Sequence, residues 1–220
     1  MTTTRLTNEE QKTLASYQKI AAARAKIRSD PEFWRYEFEK FRSLLPAGRI
    51  IDLGCGSGRD ALLFTETQNY TYIGIDLSDE MLREAKKLVP HASFEKMSLY
   101  RLKYPPQSFD GFWASASLLH IPKRNIGMVL QEIRQVLKPS GVGFITLKEG
   151  NGEKMISGSL EGDERFYAFY REEEFARLLY ENQFNVISSS REIREDNTSS
   201  QNLTSWLVYF VRASKNAASD

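Results

Sequence analysis

Residues 50–58 read Ile-Ile-Asp-Leu-Gly-Cys-Gly-Ser-Gly, an apolar run that ends in Asp52 and the alternating glycines Gly54, Gly56 and Gly58. Residues 71–76 read Thr-Tyr-Ile-Gly-Ile-Asp and end in a second acid, Asp76. A short apolar run is the pattern of a buried parallel strand, and glycines at its carboxyl end let the backbone turn sharply and come close to a ligand. Asp76 falls about 20 residues beyond the loop, at the end of the next such run, where a carboxylate accepts hydrogen bonds from ribose hydroxyls. The chemistry implied is the binding of a nucleoside cofactor. The competing role for Asp76 is that of an ordinary neighbour of a helix start, since Ser78 follows as a cap in its own right.

The elements that must hold these residues are legible from periodicity. Residues 8–45 carry Leu14, Tyr17, Ile20, Phe33, Trp34, Phe38 and Phe41 at helical spacing, with Ser29-Asp30-Pro31 as a stop and a new start, which predicts two helices. After Pro46-Ala47-Gly48 the pattern alternates. Strands are expected at 49–53, 71–76, 92–97, 109–114 and 141–147, with helices at 58–67, 79–89 (capped by Ser78) and 123–137. Such βαβ repetition builds a largely parallel sheet with helices on both faces and a ligand beyond the carboxyl ends of its strands. Residues 148–163, rich in glycine, serine and charge, are expected to be a flexible excursion over those strand ends. A helix at 171–182, a strand at 184–192, polar residues 195–203 and a strand at 205–211 follow, the two strands forming an antiparallel hairpin at or near a sheet edge. The organisation expected is a helical extension or lid over 1–46, one domain over 47–212 and a disordered tail over 213–220.

Asp52-Leu53-Gly54-Cys55-Gly56-Ser57-Gly58 resembles motif I of the class I S-adenosylmethionine-dependent methyltransferases, and the likeness continues along residues 47–212. Ile73 to Ser78 with Met81-Leu82 is similar to the second family motif, Phe109 to Ala114 and on to His120 to the fourth, and Leu137 to Val142 to the turn into the fifth strand. The resemblance implies a Rossmann-like α/β fold with a mostly parallel seven-stranded sheet and an antiparallel C-terminal hairpin strand. It implies S-adenosyl-L-methionine as cofactor, held by Asp52, Gly54, Gly56, Gly58, Asp76, Leu77, Met97, Ser98 and Ala114. Ser98 stands where the family often has an acid for the adenine amine. Met97 and Leu99 are placed either to sandwich the adenine or to pack the core. Tyr17 lies in a segment similar to the family's Tyr-Asp-x-Ile-Ala, which closes over the methionine moiety, although its place in the apolar stripe suits simple helix packing too; the second aromatic of that segment is Arg24 here.

The donor of such a reaction is already activated, so aligning the acceptor supplies much of the rate and a base is optional. His120 is the candidate base, with an ordinary pKa near 6.5, or else a partner for a loop carbonyl. Phe166, Tyr167 and Tyr170 are candidates for the wall of an acceptor pocket, or for anchoring the excursion on the core. His91 is expected to be exposed and inert.

Gly56-Ser57-Gly58-Arg59-Asp60-Ala61 also satisfies the dinucleotide pattern Gly-x-Gly-x-x-Ala, which keeps an NAD-dependent oxidoreductase as an alternative. Charge separates the two. A pyrophosphate is repelled by a nearby carboxylate, whereas the ammonium and sulfonium of a methionine donor are attracted by Asp52, and its carboxylate would use exposed amides of the loop and helix start. Thirty Lys and Arg against twenty-nine Asp and Glu leave a net charge of +1, so no global field recruits nucleic acid, and a tRNA acceptor, suggested by residues 165–175, is not favoured over a small molecule. A donor-sensing module without catalysis is the remaining alternative. One cysteine and two histidines make a disulfide framework or a typical zinc site unexpected, and no secretory leader or membrane span is read in the chain, which points to the cytoplasm.

Overall fold

The computed structural model describes residues 6–195 and 203–214. Helix α1 (Asn8–Ile27) starts at Thr7, whose hydroxyl accepts from Glu10 N–H while the Glu10 carboxylate accepts from Thr7 N–H, so two otherwise orphaned donors are satisfied reciprocally. A 3-10 turn at Pro31–Trp34, capped by Asp30, leads into α2 (Arg35–Leu44), as the Ser-Asp-Pro signal predicts. Strand and helix then alternate: β1 (Gly48–Leu53), α3 (Ala61–Thr65), β2 (Tyr70–Asp76), α4 (Asp79–Leu88), β3 (Ser93–Lys96), β4 (Phe109–Ser115), α5 (Lys123–Val136) and β5 (Leu137–Lys148). Ser78 caps α4 by accepting from Met81 N–H at 3.2 Å. The chain continues through β6 (Glu153–Ser157), β7 (Glu164–Ala168), α6 (Glu172–Glu181), β8 (Phe184–Glu195) and β9 (Leu203–Ala213).

Seven strands form one sheet in the order β3-β2-β1-β4-β5-β9-β8. The first five run parallel, and β9 lies antiparallel between β5 and β8. The Rossmann-like architecture and the antiparallel C-terminal hairpin are therefore present, with β8 rather than the last strand at the edge. Phe112 and Trp113, neighbours on β4, show the two faces: Phe112 meets Phe184, while Trp113 stacks on Phe144 with ring centres 3.7 Å apart and meets Phe41 and Phe64 edge-on. Trp34, Phe38, Phe41 and Phe64 fill the second face, which is why α2 cannot leave the sheet without exposing four aromatic rings.

Three expectations change. The helix expected at 58–67 shortens to five residues, because Gly58 has φ +81° and lies outside helical geometry. Residues 148–163 are not a loose excursion: β6 and β7 pair antiparallel from Glu153↔Ala168 to Ser157↔Glu164 and pack on α1. Ala213, assigned to the tail, closes β9; residues 215–220 of that tail and 196–202 of the polar connection lie outside the described residues. Among the described residues no helix is long and apolar enough to cross a membrane.

Trp113 links this core to the ligand side of the sheet, because its indole N–H donates to Asp60 Oδ2 at 2.8 Å beneath the glycine loop. A buried donor to a charged acceptor contributes about 1.5–3 kcal/mol. Trp113→Phe keeps most of the ring stacking and removes that donor, so urea denaturation should show a loss of about 2 kcal/mol.

Candidate active site

Strand order reverses between β1 and β4, and a cavity opens beyond their carboxyl ends. Tyr17, Asp52, Gly54, Gly56, Asp76, Leu77, Met97, Ser98, His120 and Tyr167 all reach its wall, as does Leu99. Gly58, Ala114, Phe166 and Tyr170 do not. A Cβ on Gly58 would stand 3.0 Å from Ala85 Cβ, so this glycine seats α4 against the loop. Ala114 is wholly buried inside the sheet. On β7 the alternation of side chains turns Arg165 and Tyr167 to the cavity and Phe166 away from it, and Tyr170 is buried against Phe175 with ring centres 5.0 Å apart. His91 is exposed.

The glycine loop spends its amides internally. Gly54 and Cys55 N–H both donate to the Ile75 carbonyl (2.8 and 2.9 Å), Gly56 N–H to Asp76 Oδ2 (3.0 Å) and Gly58 N–H to the Cys55 carbonyl (3.0 Å). These four are thus not the exposed anion donors expected from the sequence. Gly54 is required for a different reason: at φ +74° its missing Cβ would lie 2.6 Å from Ser117 Cβ, so only glycine lets the loops after β1 and β4 touch.

Asp76 is gripped on both oxygens, by Gly56 N–H and by Ser78 N–H at 2.9 Å, and so joins the loop after β1 to the start of α4. Burial nevertheless pushes its carboxyl up, with these amides pulling the other way. Asp52 is buried and accepts the Tyr72 hydroxyl at 2.6 Å; burial first and Asp60 next raise its carboxyl well above the usual range. Burial acts on Asp60 in the same direction, but the Arg59 guanidinium and the hydrogen bonds from Arg59, Trp113 and Ser115 prevail and hold it low. Cys55 is pushed up by burial and by the acids around it, so it remains a thiol.

The other end of the cavity is a knot of side chains on three elements. His120 Nδ1 is 2.6 Å from the Phe166 carbonyl, which only accepts, so Nδ1 carries the proton and Nε2 accepts the Tyr17 hydroxyl at 2.8 Å. Arg165 donates to the same hydroxyl at 3.2 Å and is fixed by a buried two-point ion pair with Asp163. Thr13 Oγ1 accepts from Phe166 N–H at 2.8 Å, and Ser16 bridges the Gly162 carbonyl and Glu164 N–H, both at 3.1 Å. Helix α1 is thereby fastened across the strand ends. The histidine meets a strand carbonyl, that of Phe166 on β7, rather than the loop carbonyl expected, and Tyr17 lines the cavity. Thr13, Ser16 and Asp163 carry no signal in the sequence, and Arg165 only as the start of the 165–175 segment, since their roles exist only once α1 and the β6–β7 hairpin meet.

A Rossmann-like α/β protein with a cavity where its strand order reverses is what this fold defines. Residues 50–141 match the methyltransferase domain family. Over 112 residues the chain is 32% identical to 27-O-demethylrifamycin SV methyltransferase of Amycolatopsis mediterranei, covering 47% of this chain and 40% of that protein. Over 103 residues it is 27% identical to 2-methyl-6-phytyl-1,4-hydroquinone methyltransferase of Synechocystis, covering 46% and 32%. It thus spans less than half the length of these curated relatives. In fold it is similar to Burkholderia thailandensis 1,6-didemethyltoxoflavin-N1-methyltransferase, solved with 1,6-didemethyltoxoflavin and S-adenosylhomocysteine: TM-score 0.74, 21% identity, 97% of this chain and 94% of that one. Residues 50–141 are thus similar to a methyltransferase domain, and the fold of the chain is that of Rossmann-like methyltransferases.

Burial and the Arg165 guanidinium, only partly opposed by the Phe166 carbonyl, drive His120 from 6.5 down to about 3. The unfolded chain takes up this proton below pH 6.5 and the folded protein does not, so stability is lost as pH falls from about 6.5 toward 3. Denaturation midpoints measured across that interval should fall less steeply for His120→Asn than for the unsubstituted protein.

Proposed function

We propose that the protein transfers a methyl group from S-adenosylmethionine to a small-molecule acceptor by in-line displacement. The observation that carries this reading is Asp76: held by Gly56 and Ser78 N–H on its two oxygens, it presents the remaining lone pairs at the cavity wall, where ribose hydroxyls would donate. The residues present fit the donor in two further respects. Leu77, Met97 and Leu99 offer apolar surface with Ser98 as a polar edge, which suits an adenine ring. Asp52, buried at the wall with its carboxyl raised, gains a partner when an ammonium or sulfonium group arrives. When bound, S-adenosylmethionine supplies a methyl on a sulfonium: the acceptor's lone pair forms the new bond to carbon as the S–C pair returns to sulfur, leaving S-adenosylhomocysteine.

The chain's own part is alignment and exclusion of water. Helix α1, in this reading a lid of the 47–212 domain, lays Tyr17 across the cavity, and the knot at His120 holds it there. His120 is the candidate on this wall for taking an acceptor proton, and with a pKa near 3 it is a weak base. With both ring nitrogens engaged, it serves better to hold Tyr17 in place. Tyr167, its ring centre 4.9 Å from that of His120, forms the adjoining acceptor wall. A small acceptor is supported by the relatives, which are named for a rifamycin, a hydroquinone and a toxoflavin precursor. The absence of a basic surplus argues in the same direction and away from tRNA. Asp52, Asp60 and Asp76 cluster around the glycine loop, where the pyrophosphate of NAD would lie, and disfavour it there.

Calorimetry should find S-adenosylhomocysteine binding and no measurable NAD binding. Asp76→Ala should weaken the former by about 10- to 100-fold, the equivalent of 1.5–3 kcal/mol for a charged hydrogen-bond acceptor. Tight binding of NAD alone, or an unchanged S-adenosylhomocysteine affinity in folded Asp76→Ala, would remove the donor assignment.

A further inference from the structure

The polar atoms of the cavity wall are unequally satisfied. Each of its acids has partners: Glu10 accepts from Tyr100 O–H and Thr7 N–H, Asp52 from Tyr72, Asp60 from Arg59 and Trp113, and Asp76 from two backbone amides. Two donors do not. Arg24 Nη1 and the indole Nε1 of Trp206, a residue only 3% exposed, are buried at this wall without a hydrogen-bond partner among the described residues. A buried donor left unpaired costs about 1–3 kcal/mol, so their natural complement is a ligand that brings acceptor oxygens.

Their neighbours say what kind of acceptor. The Arg24 guanidinium lies 5.5 Å from the ring centre of Tyr17, on which Arg165 also rests at 5.4 Å. Lys148 Nζ lies 4.9 Å from the ring of Tyr167 and 5.6 Å from that of Trp206. Asp163 neutralises Arg165, but the field of the three cations still reaches His120, whose proton affinity each of them lowers. Flat rings and positive charge therefore bound the same cavity.

We propose that this end of the cavity binds a planar aromatic acceptor through an oxyanion, with Arg24 Nη1 and the Trp206 indole N–H as donors and the rings of Tyr17 and Tyr167 as flanking surfaces. The inference rests on the methyl-transfer reading and narrows its substrate class. Where the oxyanion is itself the atom methylated, it has no proton to lose, which matches a wall whose histidine is a weak base. The same carboxylate chemistry has a second source, the methionine carboxylate of the donor itself, and the experiment separates the two.

The probes are salicylate and 2-naphthoate, each paired with its neutral carboxamide, titrated by calorimetry into the full chain saturated with S-adenosylhomocysteine. Each carboxylate should bind at least about tenfold tighter than its amide, one charged hydrogen bond's worth. The preference should vanish in Arg24→Gln, shrink in Trp206→Phe and survive in part in Arg24→Lys, which keeps the charge and guards against a folding artefact. S-adenosylhomocysteine affinity should stay within about twofold in Arg24→Gln, by the same scale. Equal binding of acid and amide, no binding of either acid up to millimolar concentration, or a preference that persists in Arg24→Gln overturns the proposal. So does a loss of S-adenosylhomocysteine affinity in Arg24→Gln that 5′-methylthioadenosine does not share, which would give Arg24 to the donor carboxylate. Failure of the unsubstituted protein to bind S-adenosylhomocysteine at all would instead refute the methyl-transfer reading.

Discussion

Both nitrogens of His120 are committed, and much of the cavity's shape depends on that. The Phe166 carbonyl claims Nδ1–H and so dictates that Nε2 accept; the hydroxyl it meets among the described residues is that of Tyr17, on a helix more than a hundred residues earlier in the chain. Arg165 completes the arrangement from β7 because its own charge is settled by Asp163. One ring thus ties α1, the loop after β4 and the β6–β7 hairpin together, and the protonation pattern has a single solution. The Arg165–Tyr17 bond, Thr13, Ser16, the Glu10–Tyr100 contact and packing on α4 also fasten the lid.

The cavity has two electrical ends, and the protein makes each with little free charge. At the loop after β1, Asp52, Asp60 and Asp76 crowd together with Cys55. Burial raises Asp52 and Asp76, while only Asp60, paired with Arg59, is held low. Such an end is complementary to a cationic ligand, since a positive group relieves a desolvation cost that the apoprotein bears. At the other end Arg24, Lys148 and Arg165 stand over aromatic faces. A methyl donor that carries a sulfonium and an acceptor that carries an anion would meet between these ends with opposite signs, an arrangement that favours approach of the reacting groups.

The sheet was readable because a buried parallel strand has few alternatives: runs such as Arg49-Ile-Ile-Asp-Leu and Tyr72-Ile-Gly-Ile-Asp have neither the period of a helix nor the polarity of a loop. Ser78 as a cap and Ser29-Asp30-Pro31 as a break were equally plain, because capping is a local hydrogen-bond problem. The β6–β7 hairpin was misread as a loose excursion. Its residues are polar and glycine-rich, and what makes them strands is pairing across the turn and packing on α1, neither of which leaves a periodic trace. For Phe166 and Tyr170 the sequence leaves pocket wall and core anchor open, and both are buried off the cavity: aromatic content is visible in a sequence, but which way a side chain faces is assigned only when its partner is known.

From its order of residues alone the chain determined a Rossmann-like sheet, a glycine turn beside Asp52 and an acid, Asp76, at the end of the next strand, because each depends on neighbours within a few positions. Tertiary structure alone decided that the loop amides are consumed by Ile75 and Asp76, that His120 is neutral and bonded to Tyr17, and that Arg24 and Trp206 stand unpaired at one wall. These are questions of which donor meets which acceptor across long separations, and of how much water burial removes, and both are settled only when the elements close on one another.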